Sequence, residues 1–118
     1  MAADLKPTTC VGLLVRDSRY LLHACAEGGV GIVRYDQAPL TLAAQGFARP
    51  NTYIELSARI EGTKLSVTAY GNNNPGTISL SADDPTYRAG DRLAIVVYTV
   101  NAAPASARVS DFRYVPRS

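Results

Sequence analysis

Tryptophan is missing from this chain, histidine and methionine occur once each, and cysteine occurs only twice in 118 residues. With His23 as the only imidazole, catalytic or zinc sites that need two histidines are excluded. A nucleophilic triad would have to use His23, which has no Gly-x-Ser-x-Gly or Cys-Gly context near it. Two cysteines are too few for the disulfide framework of a small secreted scaffold. No window approaches the roughly 18 apolar residues of a membrane-spanning helix, so no membrane span is expected. The 12 basic and 10 acidic residues are scattered singly. Without a Lys/Arg run to follow phosphates, nucleic acid is not an expected partner. The start, MAADLKPTT, has neither the basic opening nor the apolar core of a signal peptide. The compartment is therefore left open, and a module of a longer, extracellular parent is one reading. Apolar residues nowhere recur at helical spacing over three turns, and no glycine-rich loop precedes a helix that could cradle phosphate.

What the chain does have is β pattern. Residues 53–71 (YIELSARIEGTKLSVTAYG) read as a hairpin around Gly62-Thr63, a Gly-X loop suited to a type II′ turn. That loop places Glu61 opposite Lys64, Arg59 opposite Ser66, Ser57 opposite Thr68 and Glu55 opposite Tyr70 on a polar face. Ile60 and Leu65, Ala58 and Val67, and Leu56 and Ala69 then share an apolar face, which needs a second layer.

Further strands are expected at 8–15, 20–26, 30–35, 40–44, 77–82, 92–100 and 107–115. The near-continuous apolar run at 92–100 predicts a central strand or one buried on both faces. A turn at Asp17-Ser18 brings Cys10 opposite Cys25. These read first as two buried thiols, with a disulfide as the alternative. Residues 1–7 are expected to be a polar lead-in to one domain over 8–118. The fold class is all-β, an antiparallel β-sandwich. Its core is predicted to include Val11, Leu13, Leu22, Ile32, Leu56, Ala58, Ile60, Leu65, Val67, Leu80, Leu93, Ile95, Val97 and Phe112.

Several of these stretches carry a family pattern. The VGLLVR strand at 11–16 and the YLLHA strand at 20–24 precede a Gly-Ile-Val-Arg strand at 31–34. The Thr-Tyr-Ile-Glu-Leu…Glu-Gly-Thr-Lys-Leu-Ser-Val hairpin lies at 52–67, the Asp-x-x-Tyr-x-x-Gly-x-x-Leu-Ala-Ile step at 84–95, and the closing Val-Ser-Asp-Phe-Arg at 109–113. In these motifs the chain resembles the concanavalin A-like (laminin-G/glucanase) jelly-roll superfamily. It lacks the Trp-bearing first strands usual there, and no strand has two carboxylates at i and i+2, as the glycosidase branches do.

The resemblance implies a non-catalytic, lectin-like binding or accessory module, with carbohydrate as its ligand. A structural or protein-interaction domain is the alternative reading, and a fragment related to glycoside hydrolases the third. A glycosidase needs two carboxyls roughly 5 to 10 Å apart. Most acids here lie at turns, where Asp serves the local backbone, so no catalytic residue is assigned. Glu55, inside a strand and opposite Tyr70, is the best acid for a ligand site, with Tyr53 and Tyr35 as further aromatic candidates. No cofactor is required. Calcium is conceivable at Asn72, Asn74, Asp83 and Asp84, as a rim site of laminin-G-like domains implies. The shortened N-terminus predicts an open sheet edge, filled by residues 2–9 folding back, by the tail 114–118, or by a second copy, with a homodimer expected.

Overall fold

The computed structural model describes residues 1–7, 9–35, 38–87, 90 and 92–99, and the backbone of 107–110. Ten strands make up the fold: β1 (Ala2–Leu5), β2 (Thr9–Val15), β3 (Tyr20–Cys25), β4 (Gly29–Tyr35), β5 (Pro39–Gly46), β6 (Tyr53–Glu61), β7 (Lys64–Gly71), β8 (Thr77–Asp83), β9 (Ala94–Thr99) and β10 (Ala107–Ser110). They form two antiparallel five-stranded sheets, sheet A in the order β10-β1-β6-β7-β8 and sheet B in the order β5-β4-β3-β2-β9. Among the described residues there is no helix, and none long and apolar enough to cross a membrane. The two sheets pack face to face, as an all-β sandwich requires.

Alternation decides which way each strand faces. In β6, Ile54 and Leu56 are buried while Glu55, Ser57 and Arg59 are not, and in β7 Leu65, Val67 and Ala69 repeat the pattern. The β6–β7 register pairs Glu61 with Lys64 and runs without a slip to Glu55 and Tyr70, as the hairpin pattern predicts. Gly62 opens the turn at φ 58°, a backbone angle that glycine takes freely. Sheet B meets this face with Val11, Leu13, Leu22, Val30 and Ile32, and a single core cluster results. Burying each such aliphatic side chain contributes about 1.5–3 kcal/mol.

Three expectations are corrected. Residues 1–7 are not merely a lead-in, because β1 lies between β10 and β6 with Ala3 and Leu5 facing the core. The Met1 ammonium donates to the Leu56 carbonyl at 2.9 Å, and the Leu56 amide donates to Met1 at 2.8 Å. The segment folding back thus fills the sheet. β9 is not central, since among the described residues it ends sheet B. Its inward residues Ile95 and Val97 are 39% and 37% exposed. Of the other predicted core positions, Ala58, Ile60, Leu80 and Leu93 are only partly buried against the cluster, while Phe112 and residues 111–115 of the expected last strand lie outside the described residues.

Polar networks close both ends. At one, the buried Asp84 carboxylate takes Arg34 at 2.6 Å, the Tyr20 hydroxyl at 3.0 Å and the Thr86 amide at 2.9 Å. The Tyr20 hydroxyl in turn accepts the Tyr87 amide at 3.2 Å, and Arg19 stacks over the Tyr87 ring at 4.6 Å. At the same end the β2–β3 loop holds Arg16, Asp17 and Ser18 at φ 54°, 56° and 69°, where non-glycine residues are strained. The loop is held from outside. Arg16 donates to the Gly62 carbonyl at 2.7 Å, and the Arg92 amide donates to Asp17 at 3.0 Å. Gly90 packs so close that a side chain there would meet the Arg16 backbone at 2.8 Å.

Burial pushes the Asp84 carboxyl up, but the bonds from Thr86, Tyr20 and Arg34 together outweigh it and hold the group at about 2. A depressed carboxyl stabilises the fold above its ordinary value of 3.8, and that contribution is lost as pH falls through about 2. Replacement by Ala removes the buried acceptor shared by Arg34, the Tyr20 hydroxyl and the Thr86 amide, so Asp84→Ala is expected to cost about 3–5 kcal/mol in urea unfolding at neutral pH. In Asp84→Asn the acid-side loss of stability between the ordinary carboxylate range and pH 2 should shrink. An unchanged acid limb in that variant would show the network carries no linkage.

Candidate functional site

The outer face of sheet A is built from the polar half of the alternation. Tyr53 and Glu55 are two apart on β6 and point the same way, and Tyr70 is the register partner of Glu55. The Tyr53 hydroxyl donates to Glu55 Oε1 at 2.7 Å, which orients the carboxylate. Tyr70 is 37% exposed beside it. Further along the face Thr68 and Ser79 share a hydrogen bond at 3.3 Å, and Arg59 pairs with Glu61. Three of the four ligand-site candidates therefore meet. Tyr35 does not join them, because β4 belongs to the other sheet.

The residues suggested for calcium are not brought together. Asn72 and Asn74 lie before β8 and Asp83 and Asp84 at its far end, so the length of the strand, roughly 20 Å, separates the pairs. Asn72 Oδ1 accepts the Thr52 and Tyr53 amides at 3.0 and 3.1 Å, and Asn74 Oδ1 accepts those of Ala48 and Arg49 at 2.8 and 3.1 Å. These side chains satisfy the backbone of the β5–β6 loop. Asp83 is bound by the Thr63 hydroxyl, and Asp84 is occupied by Arg34. Among the described residues no group of three His, Cys, Asp or Glu side chains could hold a metal ion.

Sheet B presents a different outer face. Its outward positions are Cys10, Gly12 and Leu14 on β2, Leu21, His23 and Cys25 on β3, Gly29, Gly31, Val33 and Tyr35 on β4, and Val96 and Tyr98 on β9. No carboxylate, lysine or arginine stands among them. Cys10 and Cys25 are joined as a disulfide, which corrects the expectation of free thiols. The register explains the bond. The Ala26 amide donates to the Thr9 carbonyl at 2.9 Å, so the next pair along is a non-hydrogen-bonded one, with Cα atoms only 3.9 Å apart.

His23 lies beside this bridge. Its Nδ1 is 2.8 Å from the Tyr98 hydroxyl and 3.9 Å from Cys25 Sγ. The ring covers Gly31, where a Cβ would sit 2.6 Å from Nε2. Burial lowers the His23 imidazole below its ordinary value, and burial, with a lesser contribution from Tyr35, pushes the Tyr98 phenol up to about 12. Next to the ring, His23, Cys25, Gly31, Val33, Thr41 and Ala44 border a shallow trough of about 360 Å³.

Alternation along β3 puts His23 and Cys25, two apart, on one face, but Tyr98 and the glycines were not anticipated as their neighbours. The available signal was glycine at 12, 29 and 31, in step with the outward positions of two strands, which marks places where something else must lie against the backbone. Comparison with protein-family models, curated proteins and solved structures returns no match.

The bridge closes a loop of 15 residues, which in the chain-entropy account is worth about 3 kcal/mol. The double variant Cys10→Ala/Cys25→Ala should lose about that much in urea unfolding. Without reductant, the native protein should resist iodoacetamide at both positions, as read by mass spectrometry. Two alkylated cysteines would show that the bridge is not formed.

Proposed function

We propose that this chain is a non-catalytic binding module of the concanavalin A-like type and that it takes carbohydrate on the outer face of sheet A. The family assignment draws on the motifs at 11–16, 20–24, 31–34, 52–67 and 84–95, and two packed antiparallel sheets are the architecture it requires. One observation carries the ligand reading: the exposed Tyr70 ring stands beside Glu55, whose carboxylate is held by Tyr53. A ring offers a flat apolar platform to the C–H face of a sugar, while an oriented carboxylate and nearby hydroxyls accept and donate to its hydroxyls. The Cys10–Cys25 bridge is in keeping with an oxidising compartment. A glycan array probed with the purified chain should give hits that weaken about tenfold, or 1.4 kcal/mol, in Tyr70→Ala. An array with no hit, or equal binding by the variant, would sink the reading.

A second reading, protein interaction through self-association, is favoured by β9. Among the described residues it stands at the end of sheet B with Ile95 and Val97 exposed, and an apolar edge strand invites a partner strand. Light scattering behind a sizing column should then give a mass near twice 12.6 kDa at micromolar concentration. A single-chain mass at every concentration would remove the dimer.

A further inference from the structure

The uncharged face of sheet B serves neither the core nor the Tyr70 surface. We propose that the trough beside His23 binds a small uncharged ligand bearing an amide carbonyl, an acetamido group being the simplest, with His23 Nε2–H as the donor that recognises it. This site lies on the opposite sheet from Tyr70 and does not depend on the reading given for that face.

The tautomer follows from the partner. Tyr98, with its phenol pushed up to about 12, keeps its proton at neutral pH, and a phenol is a stronger donor than an imidazole N–H. Tyr98 therefore donates across 2.8 Å to Nδ1, which leaves the single proton of a neutral ring on Nε2. Nε2 lies over Gly31 at the trough floor and has no hydrogen-bond partner among the described residues. A donor held in place by a second hydrogen bond, at the edge of a depression and without an acceptor among the described residues, is placed to recognise a ligand.

The surroundings set the chemistry of the occupant. Among the described residues that line the trough there is no Asp, Glu, Lys or Arg. A carboxylate or phosphate would lose water there and gain no counter-charge. The volume of about 360 Å³ falls at the small end of ligand sites, roughly 300–1,000 Å³. Val33, Ala44 and the disulfide sulfur of Cys25 offer apolar surface, and Thr41 offers a hydroxyl. An acetamido group matches all three features: its carbonyl accepts from Nε2–H, its N–H finds the Thr41 hydroxyl, and its methyl covers the apolar wall. A bare hydroxyl would leave that wall unmatched.

Nuclear magnetic resonance on the full chain tests this directly. A long-range ¹H–¹⁵N spectrum at neutral pH should show His23 as the Nε2–H tautomer; a dominant Nδ1–H form would overturn the proposal. Titration with N-acetylglucosamine to millimolar concentration should move the His23 ring and the Gly29 and Gly31 amides saturably, while glucose and acetate leave them in place. No saturable shift, or an equal response to glucose, would overturn it, as would shifts confined to Tyr53, Glu55 and Tyr70. Tyr98→Phe, which removes only the hydroxyl, should mix the tautomers and weaken binding several-fold. His23→Phe should abolish the response where its amide spectrum remains folded, and Tyr70→Ala should leave it unchanged. Undiminished binding in Tyr98→Phe, with the tautomers mixed, would show that Nε2–H is not the donor.

Discussion

Apolar contact between the two sheets, centred on Leu22, Ile32, Leu56 and Val67, is the interaction on which the other features depend. Each strand can bury only every second residue against the opposite sheet, so the contact dictates what is left to face outward. It also demands that the sandwich be closed at its ends, where strands stop and backbone groups lose their partners. The asparagines at 51, 72, 73 and 74 do this at one end, and Asp84 with Arg34 and Tyr20 at the other. Residues that look available for ion binding are in this way committed to holding the layers together.

The outward positions then divide unequally. Sheet A turns out hydroxyls, charges and Tyr70, a wet surface that exchanges hydrogen bonds easily. Sheet B turns out glycine, leucine, a disulfide and one neutral imidazole. On the second face the backbone is bare at Gly31, and the His23 ring lies over it where a side chain would otherwise stand. The same bareness that admits the ring leaves the trough next to it.

The β6–β7 hairpin and the β2–β3 pairing were legible because alternation and turn chemistry both act locally. Gly62 sets one register, the four-residue turn 16–19 sets the other, and every pair read from the sequence is found in place. β9 departs from the expectation for a physical reason: an apolar run signals burial on both faces, but here Val96 and Tyr98 belong to an uncharged outer surface and Ile95 and Val97, on the inward side, stay more than a third exposed. β1 was overlooked since four residues give too short an alternation to stand out, although Ala3 and Leu5 do share one side. The sheet to which a strand belongs depends on how the chain crosses between layers, which local pattern does not encode. That is why Tyr35 was grouped with Tyr53 and Tyr70, and why His23, Gly31 and Tyr98, on three different strands of one sheet, were never seen as neighbours.

The two strands nearest the ends of the fold lie side by side, with Ala2 paired to Ser110 and Leu5 to Ala107. Tension applied at residues 2 and 110 would therefore enter at one end of the ladder and part its pairs one after another, as a zip opens, instead of shearing four at once. Sequential rupture needs far less force than shear. Strung along a longer polypeptide under load, such a unit would yield early and between β1 and β10, while the disulfide between β2 and β3 kept the first turn of sheet B from being drawn out.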